Sequence, residues 1–190
     1  MYGFLGGNGG GDPFGWLVER NGVLYGITQS GGTSNLGTVF SLSPGSPRGP
    51  YTTETVLYSF TGGSDGASPN AGVVIGPDGI LYGETFSGGA AGYGIVFSLT
   101  PPATPGGTWT ETVLHTFRGG DGAGPLGALA IGGPEGHPVL YGTTYRGGSS
   151  SCHQGCGTVF SLTPPAAPGK EWTETVLHKF LGGAEGEYPE

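Results

Sequence analysis

Three short motifs recur along the chain in a fixed order, and their spacing restricts the fold more than any other property of the sequence. Leu-Tyr-Gly begins at Leu24, Leu81 and Leu140, Val-Phe-Ser-Leu at Val39, Val96 and Val159, and Glu-Thr-Val-Leu at Glu54, Glu111 and Glu174. The step is 57 residues between the first two copies and 59 or 63 between the next two. Two insertions account for the drift, one around His137-Pro138 and one in the segment holding Cys152 and Cys156. A fourth marker, aromatic-x-Gly-Gly, begins at Phe4, Phe60, Phe117 and Phe180. The units are therefore 1–60, 61–117 and 118–180, with 181–190 starting a further repeat.

Each unit contains four short segments rich in Val, Ile, Leu, Phe, Tyr and Thr. In the second they are Gly72–Ile75, Ile80–Thr85, Ile95–Thr100 and Glu111–Phe117. Such segments between Gly and Pro read as strands, here A to D. Asn21-Gly22 and Asp78-Gly79 join A to B and suit a type I′ turn, which needs positive φ at two successive residues. Glu135-Gly136, followed by His137-Pro138, is a longer variant. Gly-Gly loops join B to C, and the Pro-rich stretches 44–50, 101–105 and 164–168 join C to D. Each unit reads as an antiparallel meander.

Composition agrees once it is placed on this period. Gly (44) and Pro (16) make up about a third of the 190 residues, which without a period would indicate disorder. The 35% hydrophobic and 11% charged residues are instead enough to build a core. A long helix is excluded, because Gly costs about 1 kcal/mol and Pro about 3 kcal/mol in a helix interior. The expected fold is all-β, a β-propeller-like array of three four-stranded antiparallel blades packed face to face. A parallel β-helix is the structural competitor, but its coils are shorter and lack tight hairpins.

The run Leu24-Tyr25-Gly26-Ile27-Thr28, Gly31-Gly32, Gly37-Thr38-Val39-Phe40-Ser41-Leu42, Glu54-Thr55-Val56-Leu57-Tyr58-Ser59-Phe60 and Gly62-Gly63-Ser64-Asp65-Gly66 resembles the GloVer-type (Gloeo/Verruco) extracellular tandem repeat of bacterial proteins. Leu140-Tyr141-Gly142-Thr143-Thr144 is the nearest copy of its strand-B motif. The resemblance implies a secreted or surface-attached protein and supplies no catalytic residues.

Three blades are too few for a propeller of roughly four to eight. An open arc leaves apolar faces uncovered, so completion is expected from a partner copy, as a ring or a filament, or from a longer array. The net charge of −8 excludes a nucleic-acid surface. No apolar run approaches a membrane span, and the start has no basic and apolar leader, so a secretion signal has been removed or the chain is part of a longer one.

Few side chains invite chemistry. Cys152 and Cys156 read as a local disulfide stapling the inserted loop, with a metal site including His153 or a free reactive thiol pair as the alternatives. The acidic loops with Asp12, Asp65 and Asp121 are weak calcium candidates against plain turn chemistry. His115 and His178 share the place of Tyr58 and suggest a half-buried slot. Glu54, Glu111 and Glu174 read as strand-edge charges that discourage edge pairing, with facing carboxylate pairs as the alternative. Ser149, Ser150 and Ser151 beside His153 lack the turn of a hydrolase nucleophile. Trp109 and Trp172 are candidate ligand-stacking residues or blade-edge caps. The expectation is a non-catalytic, secreted or cell-surface structural and interaction protein without a cofactor, self-assembling as a homo-oligomer or polymer. A multivalent carbohydrate-binding propeller, with glycans as partners, is the alternative.

Overall fold

A computed structural model describes residues 2–46, 49–134, 136–167 and 169–189. Three separate antiparallel sheets follow one another along the chain, and none closes on itself. The first is β1 (Gly11–Arg20), β2 (Val23–Ser30), β3 (Thr38–Pro44) and β4 (Tyr51–Ser59). The second is β5 (Ala67–Ile75), β6 (Leu81–Ser87), β7 (Ile95–Thr100) and β8 (Thr110–Thr116). In the third the first strand is split into β9 (Ala123–Pro125) and β10 (Ala130–Gly132), followed by β11 (Val139–Arg146), β12 (Thr158–Thr163) and β13 (Thr173–Lys179). Hydrogen bonding follows chain order, as expected of a meander, with β9 and β10 both on β11.

The recurring motifs are one cross-strand device. Gly26 pairs with Phe40, Gly83 with Phe97 and Gly142 with Phe160. Each Phe ring reaches over its glycine, so that a Cβ there would come within 2.8, 2.6 and 2.5 Å of the ring tip. Leu-Tyr-Gly and Val-Phe-Ser-Leu therefore occur together because the ring needs the missing side chain. All three Phe residues are at most 1% exposed.

The two buried cores lie between neighbouring sheets. One joins Ile27 and Val39 of unit 1 to Val73, Leu81, Ile95, Phe97 and Leu99 of unit 2 through Phe60. The other joins Tyr82, Val96 and Leu114 of unit 2 to Leu129, Leu140, Phe160 and Leu162 of unit 3 through Phe117. Burying a Phe or Leu side chain contributes about 1.5–3 kcal/mol. A unit is thus stabilised mainly by its neighbour, as in repeat architectures.

Several expectations need correction. β5 begins at Ala67, five residues before the expected Gly72, because a bulge between Pro69 and Val73 lets a second short stretch pair with β6. Asn21 (φ 54°) and Gly22 (φ 79°) form the two-residue turn, but at Asp78-Gly79 only Gly79 has positive φ. There Pro77 sets the first corner and Gly76 N–H bonds Ile80 O, giving a longer turn. Glu135 of the third A–B turn, and Pro47, Arg48 and Pro168 of the C–D loops, lie outside the described residues.

Candidate functional site

Between units 1 and 2, and again between units 2 and 3, the same side chains meet. Phe60 packs edge-on against Phe97 and Phe117 against Phe160, with centroids 5.2 Å apart in both cases. Trp109 meets Tyr25 at 6.3 Å and Trp172 meets Tyr82 at 6.1 Å, again edge-on. Both tryptophans are partly buried and brace the preceding unit. The linking loop repeats too. Gly89 N–H bonds Gly63 O and Gly148 N–H bonds Gly119 O, while Ser68 N–H bonds Leu36 O and Gly124 N–H bonds Tyr93 O.

Above each aromatic pair sits a polar cluster. Tyr58 donates to Asp65 at 3.0 Å, and Asp65 also accepts from the Thr61 N–H and hydroxyl, each at 2.8 Å. His115 Nε2 lies 3.0 Å from Asp121, which accepts from the Arg118 N–H at 2.8 Å. Burial pushes His115 toward its neutral form, opposed by the charge of Asp121 and its hydrogen bond. Its Nε2 is spent on Asp121, so the imidazole braces a loop.

The glutamates correct another expectation. Glu111 and Glu174 stand inside these clusters rather than on a solvated edge. One carboxylate oxygen of each is buried without a partner. Burial and then the charge of Asp65 push Glu111 up to about 7, and burial with Asp121 raises Glu174. The strand-D Glu faces the loop that leaves the last strand of the preceding sheet, which period alone does not reveal.

The ends of the array differ. On unit 1 the segment from Tyr2 to Gly10 occupies the place of a preceding unit's link. Phe4 packs on Phe40 at 4.8 Å, Tyr2 donates to Glu54, and Gly32 N–H bonds Gly7 O. At unit 3 the same half-junction is uncovered among the described residues. His178 and Phe180 keep the edge-on arrangement at 4.8 Å, and Tyr188 N–H bonds Cys156 O as Ser68 and Gly124 do at the other links. Tyr141, the counterpart of Tyr25 and Tyr82, is 39% exposed with no Trp against it, and Leu177 and Leu181 are each 53% exposed.

The remaining candidates are dispersed. Asp12 accepts from the Ser30 hydroxyl and stands at the register of Ser68, so Gly9 rather than Asp12 takes the place of Asp65. Asp12, Asp65 and Asp121 each serve their own loop. Cys152 and Cys156 form a disulfide, which leaves no thiolate for a metal, although Glu187 lies beside the sulfurs. Ser149 bonds Ser151. Phe14 and Trp16, which the recurring motifs do not single out, are 54% and 58% exposed on β1 where β5 has Asn70 and Gly72. Among the described residues no helix is long and apolar enough to cross a membrane.

The profile of the Gloeobacter/Verrucomicrobia repeat matches residues 15–190. No curated protein and no solved structure matches the chain.

Proposed function

Since the chain belongs to the Gloeobacter/Verrucomicrobia repeat family, we propose that it is a non-catalytic, secreted or cell-surface structural and interaction protein that assembles through its open unit-3 face. One observation carries the reading: Phe60 and Phe117 are 0% exposed, whereas Phe180, in the same local arrangement, is only partly covered. Among the described residues, the unit-3 face has the form of the first half of such a junction. In this reading the units are propeller-like blades. The direct packing of β1 on β5 supports it, with Gly15 so close that a Cβ would come within 2.6 Å of the Ala71 backbone. Inner strands of neighbouring blades approach in this way.

The occupant is unit 1 of a second copy, Phe180 taking the place of Phe4 on Phe40. Repetition gives a ring or a filament according to whether the rotation closes. The disulfide supports an oxidising, extracellular setting. The reading requires no cofactor, and Asp65 and Asp121 act as turn residues. Phe180→Asp is expected to abolish assembly while leaving the monomer's melting temperature nearly unchanged. Phe4→Ala, which weakens the resident segment, is expected to promote assembly. Assembly indifferent to both substitutions refutes the proposal.

A glycan-binding reading is favoured by a groove of about 860 Å³ between β8 and β13, lined by His115, Asp121, Lys170, Trp172 and Glu174. Glycan-array binding lost in Trp109→Ala and Trp172→Ala supports it, and an array without signal rejects it.

A further inference from the structure

A second cavity, of about 510 Å³, opens between units 2 and 3 beside their B–C loops. It is built by what distinguishes unit 3. Its walls are Phe86 and Tyr93 of unit 2, the link at Gly119–Gly124, and the unit-3 loop from Arg146 to Gly155, whose inserted segment is closed by Cys152–Cys156. At the junction of units 1 and 2 the equivalent places hold Gln29 and Asn70, which hydrogen-bond each other. At the second junction Phe86 and Leu126 stand there instead. Glycines line much of the rest, so space is left where side chains would project.

Arg146 is the sole charged side chain among the residues lining this cavity. Units 1 and 2 carry Ser30 and Ser87 at its register. The chain has six basic residues against fourteen acidic ones, yet this guanidinium forms no ion pair among the described residues and rests over the Tyr145 ring at 5.3 Å. A partly buried arginine with no carboxylate partner among the described residues, on a mainly apolar wall, has the charge to attract an anion. A carboxylate suits its planar fork, which gives two parallel hydrogen bonds. Around it, the faces of Phe86 and Tyr93 offer stacking, and Ser150 and Gln154 offer hydroxyl and amide partners at the rim.

We propose that this cavity binds a hexuronate residue, a sugar ring bearing one carboxylate, with Arg146 holding the carboxylate and an aromatic side chain carrying the ring face. None of the lining residues is among those named on the open unit-3 face, although Tyr145, on which Arg146 rests, stacks on Tyr188 of that face at 4.8 Å. The ring comes as a free monosaccharide or as part of an acidic polysaccharide, and the test separates the two.

Glucuronate, a glucuronate-containing oligosaccharide, glucose and acetate are titrated into the full chain, with binding read from tyrosine resonances and from titration heat. The expected result is saturable binding of glucuronate or its oligosaccharide at least about tenfold tighter than of glucose or acetate, because the latter two each lack half of the recognition. Binding of the oligosaccharide alone identifies a polysaccharide, and binding of the monosaccharide alone identifies the free acid. Arg146→Ser, which installs the residue of units 1 and 2, is expected to weaken binding at least about tenfold. Tyr93→Ala, at an exposed site, is a second variant expected to weaken it. No saturation by either uronate at millimolar concentration, equal affinity for glucose, or full binding by Arg146→Ser overturns the proposal.

Discussion

Glu84→Ile is expected to stabilise the protein, and to do so increasingly as pH rises. Glu84 lies in β6 opposite Val96, at the place of Ile27 in β2 and Thr143 in β11. It is 3% exposed, neither carboxylate oxygen has a partner, and a Cβ on Gly142 of unit 3 would lie 3.0 Å from one of them. Burial alone holds the carboxyl well above its usual range, so it stays protonated where the unfolded chain has lost the proton. An acid whose folded pKa is raised binds more protons when folded. The pH-dependent part of its destabilising effect is therefore absent below the unfolded value near 4.5 and grows as pH rises toward the folded one. An unpartnered buried polar group costs about 1–3 kcal/mol. Replacing it with Ile should gain about 2 kcal/mol near pH 4.5, or roughly 4–8 °C in melting temperature for a chain of this size. Each further pH unit adds up to about 1.4 kcal/mol until the folded pKa is passed. Urea and thermal melts of both proteins at three pH values measure the gap, and Glu84→Gln separates charge from burial by removing only the pH-dependent part. A gap that stays constant with pH, or a less stable Ile variant, would refute the reasoning.

Other substitutions test other parts of the account. Phe117→Ala should cost about 3–5 kcal/mol, because the ring is fully buried between units 2 and 3, whereas Phe180→Ala should change the monomer's urea-derived stability by less than about 1 kcal/mol. Glu111→Gln should match the parent near pH 4 and exceed its stability above pH 7. Its raised pKa opposes folding progressively between 4.5 and about 7, and the solvent-facing part of the side chain limits the gain to about 1–2 kcal/mol. Unfolded, non-reduced protein should take up no alkylating agent at Cys152 or Cys156, and replacing both by Ser should cost at most about 2 kcal/mol for so short a loop.

The period carried most of the fold in readable form. Chain-order pairing and the Gly-Gly loops follow from motifs that occur together because every unit needs the Phe-over-Gly contact, whatever the length of the loop between them. Whatever depends on one unit facing another was hidden. Glu111 looks like any strand-edge acid until Asp65, in the loop that leaves β4 of the first sheet, is placed beside it, and Tyr25 gives no hint that Trp109, far along the chain, braces it. The split of the third unit's first strand into β9 and β10 was likewise not announced by composition, since its Gly and Ala residues suit either course. The cavity left a fainter trace: Arg146 breaks the Ser seen in units 1 and 2, next to the only insertion that carries cysteines.

The claim that the unit-3 face is an unfilled junction is tested most directly by the mass of the native protein in solution, followed by sedimentation over a wide concentration range. The account predicts reversible association into multiples of the 19.0 kDa chain, together with burial of Tyr141 and Phe180. A monomer at every concentration, melting in one cooperative transition, would contradict it.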